Sequence, residues 1–195
     1  MSTVRACLVV DAQPTFCEGG ELAVDGGNDV CVRSAQFLAE HGDRYHLVVS
    51  SQDYHVDPGH HFSSEPDFVD TWPPHGLAGT ANAELHPALA DTAIDVRVRK
   101  GAHEAAYSLF DGADPDGRPA LQVLRAAGVT DLDVLGIAES HCVRATVLDA
   151  LRHGFGVRLL RDLTVPVTAE LGAAARTEMH AAGAALTTSA AAFAS

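Results

Sequence analysis

The 195-residue sequence is short of positive charge, with thirteen Lys and Arg against twenty-six Asp and Glu and a formal net charge of -13. Such a charge disfavours a nucleic-acid backbone or an anionic membrane surface as partner and is compatible with a neutral small molecule. It also lacks any apolar run near the roughly 20 residues of a membrane-spanning helix. The first such run stops at Asp11, too early for a signal peptide, so a cytoplasmic location is expected. Cysteines are few: Cys7, Cys17, Cys31 and Cys142, with no C-x-x-C pair. That spacing suggests neither a zinc knuckle nor a redox dithiol motif, and in a reducing compartment each is expected as a free thiol, one of them available for catalysis. Repeats, low-complexity tracts and linkers are absent, and 47% hydrophobic residues suffice for a sizeable core. One domain spanning 1–195 is expected.

What is present is an alternation. Apolar runs of strand length fall at 6–10, 45–51, 94–98, 132–137, 156–160 and 184–187. Between them, 30–40, 119–127, 142–153 and 169–182 carry apolar residues at three- and four-residue spacing, and Gly128, Gly154 and Gly183 stand where helices should end. Strand, helix, strand in this order implies an α/β fold: three layers, α/β/α, around a mostly parallel six-stranded sheet. Functional residues are then expected at the carboxyl ends of the strands. Asp11, Asp53, Lys100 and the turn 139–142 all fall there. Two stretches, 52–80 and 101–117, are rich in Gly, Pro, His and Asp and read as long functional loops.

Cys142 stands where a helix should begin after the strand 132–137. A helix N-terminus lowers a thiol pKa and offers backbone N–H groups to an oxyanion. A buried core cysteine is the other reading of the same position. Asp11 and Lys100 each end a strand, where they could meet the thiol; a turn cap and a surface lysine are the plain alternatives. In the loop after Asp53 come His55, His60, His61 and His75, four of the eleven histidines. Asp53 and His55, two apart at the end of an extended strand, point the same way, and a mixed Asp/His set suits iron, manganese or zinc rather than calcium.

Taken together, Val9-Val10-Asp11-Ala12-Gln13, Phe16-Cys17-Glu18-Gly19-Gly20, Asp53-Tyr54-His55, Gly59-His60-His61-Phe62, Trp72-Pro73-Pro74-His75, Arg99-Lys100-Gly101 and Gly136-Ile137-Ala138-Glu139-Ser140-His141-Cys142 resemble the nicotinamidase (pyrazinamidase) branch of the isochorismatase-like cysteine hydrolases. The resemblance runs over nearly the whole chain and rests on the order and spacing of the motifs. It implies a catalytic triad of Asp11, Lys100 and Cys142, and an oxyanion hole from backbone N–H groups of Ala138 and Cys142. It further implies metal ligands Asp53, His55, His61 and His75, ring-flanking walls Phe16 and Trp72, and a cis peptide at Ile137-Ala138. The implied cofactor is one divalent transition metal, iron, manganese or zinc, that positions the substrate ring. The implied reaction is hydrolysis of nicotinamide, and of pyrazinamide, through a thioester on the cysteine.

Three places depart from the common pattern: Pro14-Thr15, Glu139-Ser140 and His103. They are expected to alter the walls near the pocket. Other small carboxamides or carbamoyl compounds remain alternative substrates, and a metal-bound water in place of the thiol is a rival nucleophile. A catalytically silent metal-binding or regulatory member is an alternative of a different class. Monomer and homo-oligomer are both left open.

Overall fold

In a computed structural model, which describes residues 3–194, the first apolar run becomes strand β1 (Arg5–Val10), buried almost throughout. The other strands are β2 (Leu47–Asp53), β3 (Val96–Lys100), β4 (Asp131–Ile137), β5 (Gly156–Val165) and β6 (Ala185–Thr187). They form one sheet in the order β3-β2-β1-β4-β5-β6, and every pairing is parallel. Parallel sheets are covered on both faces, which is why β1 and β4 read as nearly unbroken apolar runs.

Strand alternation sends Cys7 and Val9 to one face and Ala6, Leu8 and Val10 to the other. The first face packs on helix α1 (Gly27–His41) through Val30, Phe37 and Leu38. The second packs on α2 (Ala120–Ala126), α3 (Arg144–Arg152) and α4 (Ala169–Ala181) through Leu124, Val147 and Met179. The short α5 (Ser189–Ala192) closes the chain beside the first face. α2 has only seven residues, too few to be stable alone. Burying a side chain such as Leu124 supplies roughly 1.5–3 kcal/mol toward holding it.

Three strands differ from the sequence reading by two residues or more, β2 among them, which runs Leu47–Asp53 rather than 45–51. β3 starts at Val96 rather than 94, because Asp95 is used as a turn: its side chain accepts from Val48 N at 2.7 Å and its own N–H donates to Val48 O. β5 continues to Val165, five residues past the expected end; a register shift between Val134 and Gly136 brings Thr164 and Val165 alongside Gly136 and Ile137. Gly136 has φ +117, and a Cβ there would collide with Val10 O, so glycine lets β4 close against β1.

Connections leave the adjacent strands β1 and β4 toward opposite sides of the sheet, which opens a crevice at their carboxyl ends. Asp11 follows β1, Asp53 ends β2, Lys100 ends β3 and Cys142 lies in the turn after β4. No described helix is long and apolar enough to cross a membrane.

Candidate active site

Lys100 joins three of these strand ends. Its Nζ lies 3.0 Å from Asp11 Oδ2, makes an ion pair with Asp53 and donates to Cys142 Sγ at 3.9 Å and to Ala106 O at 3.3 Å. The Asp11 and Lys100 side chains have no solvent exposure. Burial works against the ammonium, but Asp11 and Asp53 outweigh it and hold the Lys100 pKa well above the usual lysine range. A lysine so placed is a fixed cation.

Asp11 has φ +44, in the left-handed region that non-glycine residues seldom occupy. The twist directs its N–H to Ser51 O at 3.2 Å and lets Oδ1 accept from Ser51 Oγ at 2.7 Å. Oδ2 touches Lys100 as a charge but accepts no aligned hydrogen bond. Burial raises the Asp11 pKa and Lys100 pulls it down; the net direction is up. The result is a buried carboxylate more basic than a surface one, with a spare lone pair.

Cys142 does not start an α-helix. It sits inside a π-helical turn, Glu139–Val143, that runs into α3. The sequence reading expected a helix N-terminus to lower its pKa, and the structure reverses that expectation. Burial is the largest influence and pushes the thiol well above its usual value, with Lys100 opposing and Asp11 adding. At rest the sulfur keeps its proton, and Asp11 and Cys142 have ligand-type atoms within 4.8 Å. The Ile137-Ala138 peptide before this turn is cis.

Beside Lys100, nitrogens of His55, His61 and His75 gather within 4.8 Å of one another, all three rings buried. Nδ1 of His55 donates to Gly101 O and Nδ1 of His75 to Pro73 O at 2.8 Å. A carbonyl only accepts, so each ring must carry a proton on Nδ1 and turn Nε2 inward. Both Nε2 atoms lie 3.6 Å from Asp53 Oδ2. Nε2 of His55 and Nδ1 of His61 are buried without a protein partner. Burial, then the charges of His75 and His55, lowers the His61 pKa to about 4, leaving it neutral at pH 7. Three imidazoles and an ionised carboxylate, with buried ring nitrogens that have no protein partner, fit a divalent transition metal. His60 is exposed and outside this group. Gly101 makes the arrangement possible: a Cβ there would lie 2.5 Å from His55 Cε1.

A cavity of about 350 Å³ opens over these groups, with Phe16, Trp72, His61, His75, Ala138 and Cys142 in its lining. Sequence reasoning missed Tyr107 and His141, which also line it. Trp72 Nε1 donates to Tyr107 Oη at 2.9 Å, and His141 meets the Trp72 ring edge-on with centroids 5.4 Å apart. Their partners are remote in sequence, so no local signal marked them. Pro14, Thr15, Glu139, Ser140 and His103 are absent from the lining itself; of them, Thr15 adjoins Phe16, and Glu139 and Ser140 lie between Ala138 and His141. Thr15 Oγ1 bonds Glu21 and Gly76, Glu139 is buried against Arg176 and Thr164, and His103 is exposed.

The Isochorismatase domain family matches residues 5–191. A protein named nicotinamidase/pyrazinamidase from Mycobacterium tuberculosis is 49% identical over 179 residues, spanning 92% of this chain and 96% of that protein. The pyrazinamidase of Pyrococcus horikoshii in complex with zinc superposes with a TM-score of 0.81 at 30% identity, over 95% of this chain and 99% of that one. PnC1 from L. infantum in complex with nicotinate gives 0.83 at 31% identity, over 98% and 96%.

Proposed function

Because the chain belongs to the isochorismatase family, we propose that it is a nicotinamidase, which hydrolyses nicotinamide to nicotinate and ammonia and accepts pyrazinamide as well. The observation that carries this reading is the meeting of Asp11, Lys100 and Cys142 at one buried point beside the three histidines.

In the proposed reaction Asp11 takes the Cys142 proton as Sγ attacks the carboxamide carbon. The raised pKa of Asp11 suits it to that task, and Lys100 offsets the charge left on the sulfur. Backbone N–H groups of Ala138 and Cys142 hold the oxyanion. Asp11 then returns the proton to the departing ammonia, and the acyl group stays on sulfur as a thioester. Water enters, gives a proton to the same carboxylate and attacks the acyl carbon; the C–S bond breaks, the acid leaves, and Asp11 returns the proton to the Cys142 sulfur. Phe16 and Trp72 flank the ring.

Asp53, His55, His61 and His75 would hold one iron, manganese or zinc ion, whose chemistry there is to take the pyridine nitrogen as a ligand and fix the ring. Well-oriented reactants can lower a barrier by roughly 7–11 kcal/mol, so orientation is a sufficient role.

The test is ammonia release from nicotinamide by the purified protein and by Cys142→Ala, each at its purified metal content. Release abolished by the substitution supports the reading; release surviving it would return the role of nucleophile to water.

A further inference from the structure

Cys17 and Cys31 are fourteen residues apart in sequence, yet their Sγ atoms lie 3.7 Å apart. Both are buried. Cys17 Sγ donates to Gln13 O at 3.3 Å, which makes Cys31 the donor to Cys17. That bond from Cys31 sets the Cys17 pKa below its usual value against the effect of burial. Gly27 brings the helix close: a Cβ there would lie 2.9 Å from Cys17 Cα.

His86 completes a group of three that could suggest a metal, but its ring is already engaged. Nδ1 accepts from Ala88 N at 3.1 Å and Nε2 faces Asn28 Oδ1 at 3.0 Å. With no lone pair of His86 to spare, the two sulfurs stand as a dithiol. The side chain of Glu18, exposed, accepts from Gly26 N at 2.6 Å and Asn28 N at 2.8 Å, clasping the start of the helix that carries Cys31.

We propose that Cys17 and Cys31 are a modification site, a vicinal dithiol that a hydroperoxide oxidises to a disulfide tying the turn beside Phe16 to α1. Cys17 sulfur attacks the outer peroxide oxygen, the O–O bond breaks, and the thiol proton leaves with the alcohol, or water from hydrogen peroxide. Cys31 sulfur then attacks the resulting sulfenic sulfur and expels water. Two thiols lose two protons and two electrons, and the peroxide takes up both pairs to become the alcohol and water. A disulfide needs sulfurs about 2.0 Å apart, so the pair must close by about 1.7 Å. Gly26, at φ +87 immediately before α1, is the hinge that can yield.

The experiment is covalent and does not depend on the activity proposed above. Folded wild-type protein is treated with a small excess of hydrogen peroxide, its free thiols are alkylated after denaturation, and it is digested with a protease that cuts after glutamate. Glu18 and Glu21 lie between the two cysteines, so an oxidised pair appears as cross-linked peptides that separate on reduction. In Cys31→Ala the second step is lost, and dimedone should label Cys17 as the sulfenic acid. Glu18→Gln, with a weaker clasp, should cross-link several-fold faster. Recovery of both Cys17 and Cys31 as alkylated thiols, with oxidation confined to Cys142 or absent, would overturn the proposal, as would an unlabelled Cys17 in Cys31→Ala.

Discussion

Gln13 holds Asp53 at both polar groups of its backbone: Oε1 accepts from Asp53 N at 2.8 Å and Nε2 donates to Asp53 O at 3.0 Å. Nε2 also donates to Ala83 O at 2.8 Å. This fully buried side chain staples the end of β1 to the end of β2 and keeps Asp11 and Asp53 on either side of Lys100. Gln13→Ala removes the partners of Asp53 N and Asp53 O, while Ala83 O keeps its bond from Gln52 Nε2, and each orphaned buried group costs about 1–3 kcal/mol. We expect a lower urea midpoint with an unchanged slope, together with weaker metal retention on dialysis.

Asp11 acts as a base only when ionised, and its pKa is raised, first by burial and against the pull of Lys100. The acidic limb of kcat/KM should therefore lie at higher pH than the ordinary carboxylate value of 3.8. Ser51→Ala removes a hydrogen bond to the ionised form, so it should move that limb further toward neutral. A pH profile of both proteins checks the direction; a limb moving to lower pH in the variant contradicts it.

Arg176 reaches from α4 to the buried carboxylate of Glu139, which also accepts from Thr164 Oγ1 at 2.7 Å. The pair ties α4 to the turn that carries Cys142. Breaking a buried pair by removing one partner costs about 3–5 kcal/mol, and the part-exposed Arg176 reduces that to about 2 kcal/mol. Arg176→Met should melt several degrees lower in a thermal scan, whereas Arg144→Met, at an exposed pair with Glu178, should hardly move.

Much of this was legible in the sequence, for identifiable reasons. β1 and β4 are buried on both faces, so their apolar runs announce strands; Asp11 ends such a run and stands out as costly, whereas Lys100 reads equally well as a surface lysine. β3 was misplaced because it is an edge strand, where Arg97 and Arg99 face solvent and dilute the signal. Tyr107, Gln13 and the Glu139–Arg176 pair act through contacts between residues far apart in sequence. The thiol pKa went the wrong way because position suggests a dipole, while only the fold reveals burial.

Trp72→Phe keeps an aromatic wall but deletes the hydrogen bond to Tyr107. With the nucleophile untouched, KM for nicotinamide should rise several-fold and kcat change less; steady-state kinetics separate the two.

Stripping metal with a chelator should leave His55 Nε2 and His61 Nδ1 buried without a partner. Activity should vanish and the melting temperature fall, and both should return with one equivalent of iron, manganese or zinc. Unchanged melting after verified metal loss would remove the histidines as a binding site.

The central claim is that Cys142 carries the acyl group. Rapid acid quench of wild-type protein during turnover of nicotinamide, followed by peptide mapping, tests it most directly. The account predicts a nicotinoyl thioester on the Cys142 peptide that is absent without substrate; turnover proceeding with that peptide always unmodified, and persisting in Cys142→Ala, would contradict it.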